Sequence, residues 1–121
     1  MKYCIVADDS SVIRKVARRI LEGLSFEVTE AEDGKQTLTA CMQRMPDAVL
    51  VDWSMPDMPG VDVIRRLRQL DQGRLPKIVF CTTENDVAQI AKAIHNGADD
   101  YVMKPFDRTI LTEKFAQIGL V

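Results

Sequence analysis

Short runs of apolar residues alternate with segments of helical periodicity along the whole chain, and this alternation restricts the fold more than any other feature. The apolar runs are continuous, which is typical of strands that are buried on both faces of a parallel sheet. Strand and helix patterns that alternate with short connections predict an α/β domain. The predicted strands span residues 2–7, 27–31, 48–51, 77–81 and 100–103, and the predicted helices span residues 12–24, 35–45, 61–70, 87–96 and 108–118.

Length, charge and cysteine content exclude several classes of protein. The chain has 121 residues, and we expect residues 1–121 to form one domain without an output domain. A net charge of −2 argues against a general nucleic-acid-binding protein. The sequence has no apolar run long enough to span a membrane and no signal peptide. The three cysteines lack metal-ligand spacing, so we expect a reduced, cytoplasmic setting.

Three acidic residues stand at the ends of two predicted strands. Asp8 and Asp9 follow the first strand, and Asp52 follows the third. Because the carboxyl ends of parallel strands gather at one edge of a sheet, these carboxylates should lie close together. Close carboxylates repel one another unless a cation compensates them, and Mg²⁺ or Mn²⁺ prefers such oxygen ligands. The alternative for any one of the three is a helix cap or a turn residue.

Two further polar residues follow the fourth and fifth predicted strands. Thr82 ends the predicted fourth strand, and Lys104 ends the fifth. A hydroxyl, an ammonium and a metal ion at one edge would suit a site that handles a phosphoryl group. Asp52 would then be the nucleophile, since carboxylates form aspartyl-phosphates. The alternatives are a solvated surface lysine and a threonine that merely favours a strand.

In this order along the chain, these residues resemble the receiver domain of bacterial two-component response regulators. The resemblance extends from residue 2 to about residue 118 and includes a loop at residues 55–60. It also includes Gly97-Ala98-Asp99 and Lys104-Pro105-Phe106. It implies a flavodoxin-like (βα)5 fold, a three-layer sandwich with a central five-stranded parallel sheet in the order 2-1-3-4-5.

The resemblance assigns a role to each acidic residue. Asp52 would accept a phosphoryl group from the phosphohistidine of a sensor histidine kinase or a phosphotransfer protein. Asp9 and Asp52 would bind Mg²⁺ directly, together with the backbone carbonyl of Ser54. Asp8 would bind the ion through water. Ser54 and Glu84, each two residues beyond a site residue, would line the path of the attacking water and tune the lifetime of the phosphorylated state.

The resemblance also implies a conformational switch. Lys104 would contact the phosphoryl group, and its bond to Pro105 would be cis. Thr82 would move towards the phosphoryl oxygens, and Tyr101 would turn inward. This event would change the surface formed by the fourth helix, the fifth strand and the fifth helix. Tyr101 as an ordinary half-buried aromatic residue is the alternative.

Basic residues are concentrated in two predicted helices. In the first helix, Arg14 and Arg18 form an i,i+4 pair, as do Lys15 and Arg19, and we expect them to share one exposed surface. This surface is either a solvated face or a docking site for an acidic partner. The predicted docking residues are Ile13, Arg14, Arg18 and Phe106. A second basic stretch, at residues 65–74, leaves binding of an anionic nucleotide open.

We therefore expect a single-domain, monomeric response regulator of the chemotaxis type, which binds a target protein when it is phosphorylated. Its only catalysis would be its own phosphorylation and dephosphorylation. The alternatives are a phosphorelay intermediate and a phosphorylation-independent adaptor. An aspartyl-phosphate phosphatase is disfavoured because Ser54 stands where such enzymes carry a second Asp. A flavin-binding protein is disfavoured because the loop at residues 8–11 is acidic where a flavin phosphate needs hydrogen-bond donors.

Overall fold

Five strands alternate with five helices in the computed structural model, which describes residues 1–83 and 86–121. The alternation predicted from the apolar pattern is confirmed for every element. Most boundaries differ from the predicted ones by one or two residues. The strands are β1 (Lys2–Ala7), β2 (Phe26–Ala31), β3 (Ala48–Asp52), β4 (Lys77–Thr82) and β5 (Asp100–Met103), and the helices are α1 (Ser11–Gly23), α2 (Gly34–Gln43), α3 (Gly60–Gln69), α4 (Val87–His95) and α5 (Arg108–Gln117).

The five strands form one parallel sheet in the order β2-β1-β3-β4-β5. The flavodoxin-like order implied by the resemblance is therefore confirmed. Helices α2, α3 and α4 pack on one face, where Cys41, Ile64 and Ala93 are buried against the sheet. Helices α1 and α5 pack on the other face through Leu21 and Phe115. Both faces of the sheet are covered, which explains why the strands read as continuous apolar runs.

Side-chain caps determine where most of the helices begin. Ser10 caps α1 by accepting a hydrogen bond from the Ile13 amide at 3.3 Å. Asp86 caps α4 by accepting one from the Ala88 amide. Asp33 and Asp107 cap α2 and α5. Because each cap satisfies amides of the first helical turn, the helix begins at the residue that follows it.

Arg68 is the exception in the second basic stretch, because it is engaged inside the fold. Its guanidinium donates hydrogen bonds to three backbone carbonyl oxygens and lies 3.1 Å from the carboxylate of Asp99. Only 16% of its side chain is exposed. Arg68 is therefore engaged by the fold, and binding of an anionic nucleotide by the rest of the stretch stays open. We call this group the Arg68 cluster, and its members are Arg68, Gly73, Pro76, Gly97 and Asp99.

The three cysteines, Cys4, Cys41 and Cys81, are reduced and buried. Burial raises the pKa of the Cys41 thiol to about 11 and that of Cys4 further still. Thiols of this kind are unreactive core residues. In the described part of the chain, no helix combines the length and the apolar character that crossing a bilayer requires.

Candidate functional site

The carboxyl end of β1 places two acidic residues at the edge of the sheet. The backbone amide of Asp8 donates a hydrogen bond to the Ala31 carbonyl at 3.1 Å, so the pairing of β1 with β2 continues into this residue. The carboxylate of Asp8 accepts a hydrogen bond from the Ser10 amide at 2.9 Å. Asp8 is buried, whereas Asp9 is exposed to solvent. The loop between β1 and α1 therefore presents one enclosed carboxylate and one open carboxylate.

Asp52 ends β3, and the loop that follows folds back tightly over it. The Trp53 amide donates to the Cys81 carbonyl at 2.8 Å, and the Gly60 amide donates to the Trp53 carbonyl at 2.9 Å. A Cβ atom on Gly60 would lie 2.1 Å from the carbonyl oxygen of Asp52. Glycine is required at this position because the backbone approaches too closely for any side chain.

Asp57 fixes the same loop to the start of α2. Its carboxylate accepts hydrogen bonds from the amides of Gly34 at 2.8 Å and Lys35 at 2.9 Å. Asp57 is exposed, and although some loss of hydration opposes its ionisation, hydrogen bonds from backbone amides prevail and lower its pKa. Sequence analysis missed this residue. A helix N-terminus attracts carboxylates in general, but nothing in the sequence indicates that a distant loop supplies one.

The three predicted carboxylates meet at the carboxyl edge of the sheet. Asp8, Asp9 and Asp52 each offer an oxygen atom, and these oxygens all lie within 4.8 Å of one another. The Nζ atom of Lys104 lies 2.8 Å from Asp52 and 3.0 Å from Asp8. The Lys104–Pro105 peptide bond is cis, as the resemblance implies. We call Asp8, Asp9, Asp52 and Lys104 the Lys104 cluster.

The charges of the Lys104 cluster do not balance. Burial raises the pKa of Asp52, and repulsion from Asp8 and Asp9 adds to this effect although the Lys104 hydrogen bond opposes it. Burial also disfavours the Lys104 ammonium, but its hydrogen bonds to Asp52 and Asp8 prevail and raise its pKa. Lys104 therefore stays charged at neutral pH. One ammonium facing three carboxylates leaves negative charge that a divalent cation would compensate.

Thr82 lies in β4, the strand next to that of Asp52, and Tyr101 lies in β5, one strand further out. Thr82 is buried at the end of β4, where its neighbour Cys81 pairs with Asp52. Tyr101 is half-buried in β5. The ammonium of Lys114 lies 4.6 Å from the centre of the Tyr101 ring and 3.5 Å from the Asp100 carboxylate. The fold thus brings the hydroxyl to the site and keeps the aromatic ring beside α5.

The two residues predicted to tune dephosphorylation differ in what the structure describes. Ser54 is exposed and forms an isolated antiparallel bridge with Pro59. Ser54 is two residues beyond Asp52 in the chain. Glu84 lies outside the described residues. The roles of both in dephosphorylation stay predictions.

Two of the predicted docking residues are not exposed. Arg14 is only 7% exposed, because its guanidinium faces the Asp8 carbonyl and Glu30 rather than solvent. Phe106 is 9% exposed and packs in the core between α1, α5 and the sheet. The expectation that Arg14 lies on an exposed basic surface is wrong. Ile13 is half-buried, and Arg18 is half-exposed but pairs with Glu30 at 2.7 Å.

A different face of α1 is open to solvent. Val12 and Val16 are 68% and 42% exposed, although Val16 lies at helical spacing from the buried Ala17 and Leu21 side of α1. They form an apolar groove with Ile20. Basic side chains border this groove, namely Lys15, Arg19 and Arg108. We call it the α1–α5 groove.

The chain matches the model of the response regulator receiver domain over residues 4–116. It belongs to this family. Its relatives include the DNA-binding response regulator MtrA of Mycolicibacterium paratuberculosis, to which it is 40% identical over 102 residues. These residues are 84% of this chain and 44% of MtrA, so the chain spans less than half the length of that relative.

A second relative is similar in length. The chain is 34% identical over 112 residues to the chemotaxis protein CheY1 of Helicobacter pylori, which is 91% of this chain and 90% of CheY1. Among solved structures, the chemotaxis protein CheY4 of Vibrio cholerae superposes with a TM-score of 0.93 at 26% identity, and the match covers 98% of each chain. The receiver fold inferred from the sequence is therefore confirmed.

Proposed function

We propose that the receiver domain accepts a phosphoryl group on Asp52 in a reaction that depends on Mg²⁺. The observation that carries this proposal is the Lys104 cluster, in which three carboxylates converge within 4.8 Å and one of them bonds to an ammonium at 2.8 Å. A purely structural ion pair would have no need of two extra carboxylates at the same edge. Their mutual repulsion is a cost that a bound cation removes.

The residues of the site fit a hard divalent cation. Carboxylate oxygens are the ligands that Mg²⁺ and Mn²⁺ prefer, and the exposed Asp9 leaves the site open to water. Asp8, Asp9 and Asp52 would hold the ion. The backbone carbonyl of Ser54, two residues beyond Asp52, would be a further ligand. A bound ion would neutralise charge on the phosphoryl oxygens.

The residues of the chain supply the remaining chemistry. An oxygen of the Asp52 carboxylate attacks phosphorus, and the bond from phosphorus to the imidazole nitrogen of the donor breaks. The electron pair of that bond stays with the imidazole, which leaves and takes up a proton. Lys104 transfers its hydrogen bond from the Asp52 carboxylate to a phosphoryl oxygen. Lys104 already lies at the correct distance from Asp52 for this exchange.

The phosphoryl group then changes the surface of the domain. The buried Thr82 hydroxyl would bind a second phosphoryl oxygen, and Tyr101 would leave its position beside Lys114 to fill the space behind Thr82. The surface of α4, β5 and α5 contains both Tyr101 and Lys114. A target protein would read this change, so that phosphorylation shifts a two-state equilibrium.

The α1–α5 groove supports a docking site for the phosphodonor. Its apolar floor at Val12 and Val16 and its basic border fit an amphipathic, acidic segment of a histidine kinase or a phosphotransfer protein. The basic border consists of Lys15, Arg19 and Arg108. This groove replaces Arg14 and Phe106 in the docking prediction made from the sequence.

The 34% identity to the chemotaxis protein CheY1 favours a chemotaxis-type regulator. In this proposal the domain is a monomer in the cytoplasm. The second candidate is a receiver that governs DNA binding, which the 40% identity to MtrA favours. The relay intermediate and the phosphorylation-independent adaptor stay alternatives.

Intact-mass measurement after incubation with acetyl phosphate and Mg²⁺ tests the proposed chemistry. We expect the wild type to gain the mass of one phosphoryl group and the Asp52→Asn variant to gain none. The matched control is Asp62→Asn, which removes an exposed carboxylate at the start of α3 and should leave the adduct unchanged. A folded wild type that gains no mass would support the adaptor instead.

A further inference from the structure

Arg14 is a buried cation that lies next to the Lys104 cluster without contacting any of its carboxylates in the described hydrogen bonds and ion pairs. Its Nη1 atom donates a hydrogen bond to the backbone carbonyl of Asp8 at 2.7 Å. Its Nε atom donates to the Glu30 carboxylate at 3.1 Å, and Glu32 lies 3.8 Å from Nη2. Only 9% of the Arg14 side chain is exposed.

The carbonyl that Arg14 holds belongs to the peptide unit that joins Asp8 to Asp9. A peptide unit is planar, so fixing its oxygen also fixes the direction in which the chain enters Asp9. The other side of Asp8 is already fixed, because its amide donates to the Ala31 carbonyl of β2. Asp9 is exposed, so the packing of its side chain restricts its position little. The backbone therefore decides where the Asp9 carboxylate points.

Glu30 anchors the other end of the Arg14 guanidinium to the sheet. Glu30 pairs with Val6 in the register of β1 and β2, one residue before the pair of Ala7 with Ala31. The planar guanidinium thus connects a fixed strand to the loop that carries Asp8 and Asp9. A fork of donors with fixed geometry suits this role better than a flexible ammonium would.

We infer that Arg14 is a positioning residue for the divalent-cation site, because it sets the orientation of the Asp8–Asp9 peptide. This inference rests on the proposed function, since it requires that the site binds a cation. The positive charge of Arg14 acts in the opposite direction, because it repels a cation from the carboxylates. Positioning and charge therefore predict opposite signs when the guanidinium is removed.

Arg18 provides a matched control one helical turn away. It binds the same Glu30 carboxylate, at 2.7 Å, and carries the same charge. Its remaining hydrogen bonds go to Glu22 and to the Val28 carbonyl, and none goes to the loop of Asp8 and Asp9. Removing Arg18 therefore tests the loss of the Glu30 ion pair and of one positive charge without disturbing the Asp8–Asp9 peptide.

Mn²⁺ titration followed by electron paramagnetic resonance tests the inference, since free Mn²⁺ is observed directly and no phosphorylation is needed. We expect Arg14→Gln to weaken Mn²⁺ binding about tenfold, as is typical for residues that orient metal ligands. We expect Arg18→Gln to stay within about twofold of the wild type. Circular dichroism confirms that each variant is folded.

Arg14→Lys keeps the test decisive if Arg14→Gln does not fold. Lysine retains the charge and can donate to the Asp8 carbonyl, but it lacks the fork that also holds Glu30. We expect an affinity between those of the wild type and Arg14→Gln. Unchanged or tighter Mn²⁺ binding by a folded Arg14 variant would overturn the inference, as would an equal loss in Arg18→Gln. A wild type that binds no Mn²⁺ would instead overturn the proposed function.

Discussion

The Lys104 cluster and the Arg68 cluster both place one cation among several oxygen atoms, but their balance of charge differs. Arg68 meets three neutral carbonyl oxygens and one carboxylate, so the charges of Arg68 and Asp99 balance. Lys104 is instead one ammonium beside three carboxylates, so negative charge remains in that cluster. An uncompensated charge therefore distinguishes a candidate functional site from a structural ion pair.

The largest effect on stability is expected at the Arg68 cluster. Arg68→Met would remove the donors of buried carbonyls and leave Asp99 unpaired, which should lower the free energy of unfolding by about 3 kcal/mol. Urea denaturation measures this loss, and intact mass should show that phosphorylation persists. Arg65→Met is the control, because Arg65 is about half-exposed and its one ion pair among the described residues is with Asp62 at 3.5 Å. A folded Arg68→Met variant that cannot be phosphorylated would break the distinction between the two clusters.

Two glycines allow the two clusters to be tested in the same way, because each lies against a backbone carbonyl. Gly60 lies beside Asp52 of the Lys104 cluster, and Gly73 belongs to the Arg68 cluster. A Cβ atom added to Gly60 would lie 2.1 Å from the carbonyl oxygen of Asp52. A Cβ atom added to Gly73 would lie 2.0 Å from the carbonyl oxygen of Leu67. Each Gly→Ala substitution should cost about 2 kcal/mol of stability because the backbone must move. Only Gly60→Ala should also weaken Mg²⁺ binding, as measured by calorimetry. Equal Mg²⁺ affinity in both variants would show that the loop position is unimportant for the site.

Neutralising a carboxylate of the Lys104 cluster should stabilise the fold. Asp52→Asn relieves the repulsion from Asp8 and Asp9, and we expect a gain of about 1 kcal/mol in the free energy of unfolding. The measurement is urea denaturation at pH 7 in the presence of a chelator. Asp62→Asn, at an exposed position, should change stability little. A loss of stability in Asp52→Asn would mean that the Lys104 hydrogen bond outweighs the repulsion.

The pH dependence of that gain is the smallest effect. Because the pKa of Asp52 is raised in the folded protein, the folded state binds this proton more tightly than the unfolded chain does. The cost of the ionised carboxylate is present at neutral pH, begins to fall as the pH reaches the folded-state pKa, and disappears only below the pKa of the unfolded chain. The gain from Asp52→Asn should therefore shrink below about 0.5 kcal/mol in acid. Urea denaturation of both proteins from pH 7 to about pH 3.5, below the ordinary pKa of an aspartate, would contradict this if the gain stayed constant.

The sequence predicted the order of elements and the central carboxylates, but not the contacts that fix their loops. Asp8, Asp9 and Asp52 follow apolar runs, so parallel-sheet topology alone brings them together. Arg14 has the spacing of an exposed basic face, yet its guanidinium turns inward to a backbone carbonyl. Neither this bond nor that of Asp57 to α2 leaves a periodic signal, because each joins residues that are distant along the chain or involves backbone atoms.

Some predictions depended on side-chain burial that periodicity describes poorly. Val16 follows the apolar spacing of α1, but it lies at the margin of the buried face and borders the α1–α5 groove. Arg68 stands among other arginines in α3, and only the turn of the chain at Gly73 and Gly97 brings carbonyls to it. Helix spacing places a residue on a face, whereas loops that fold back over the helix decide what covers that face.

Calorimetric titration of Mg²⁺ into the wild type, Asp52→Asn and Arg68→Met tests most directly whether the Lys104 cluster is a cation site. We expect the wild type and Arg68→Met to bind one ion with similar affinity. We expect Asp52→Asn, which lacks one carboxylate ligand, to bind Mg²⁺ at least about tenfold more weakly. Equal affinity of Asp52→Asn and the wild type, or no binding by the folded wild type, would contradict the claim that uncompensated charge at the Lys104 cluster serves a cation-dependent phosphoryl site.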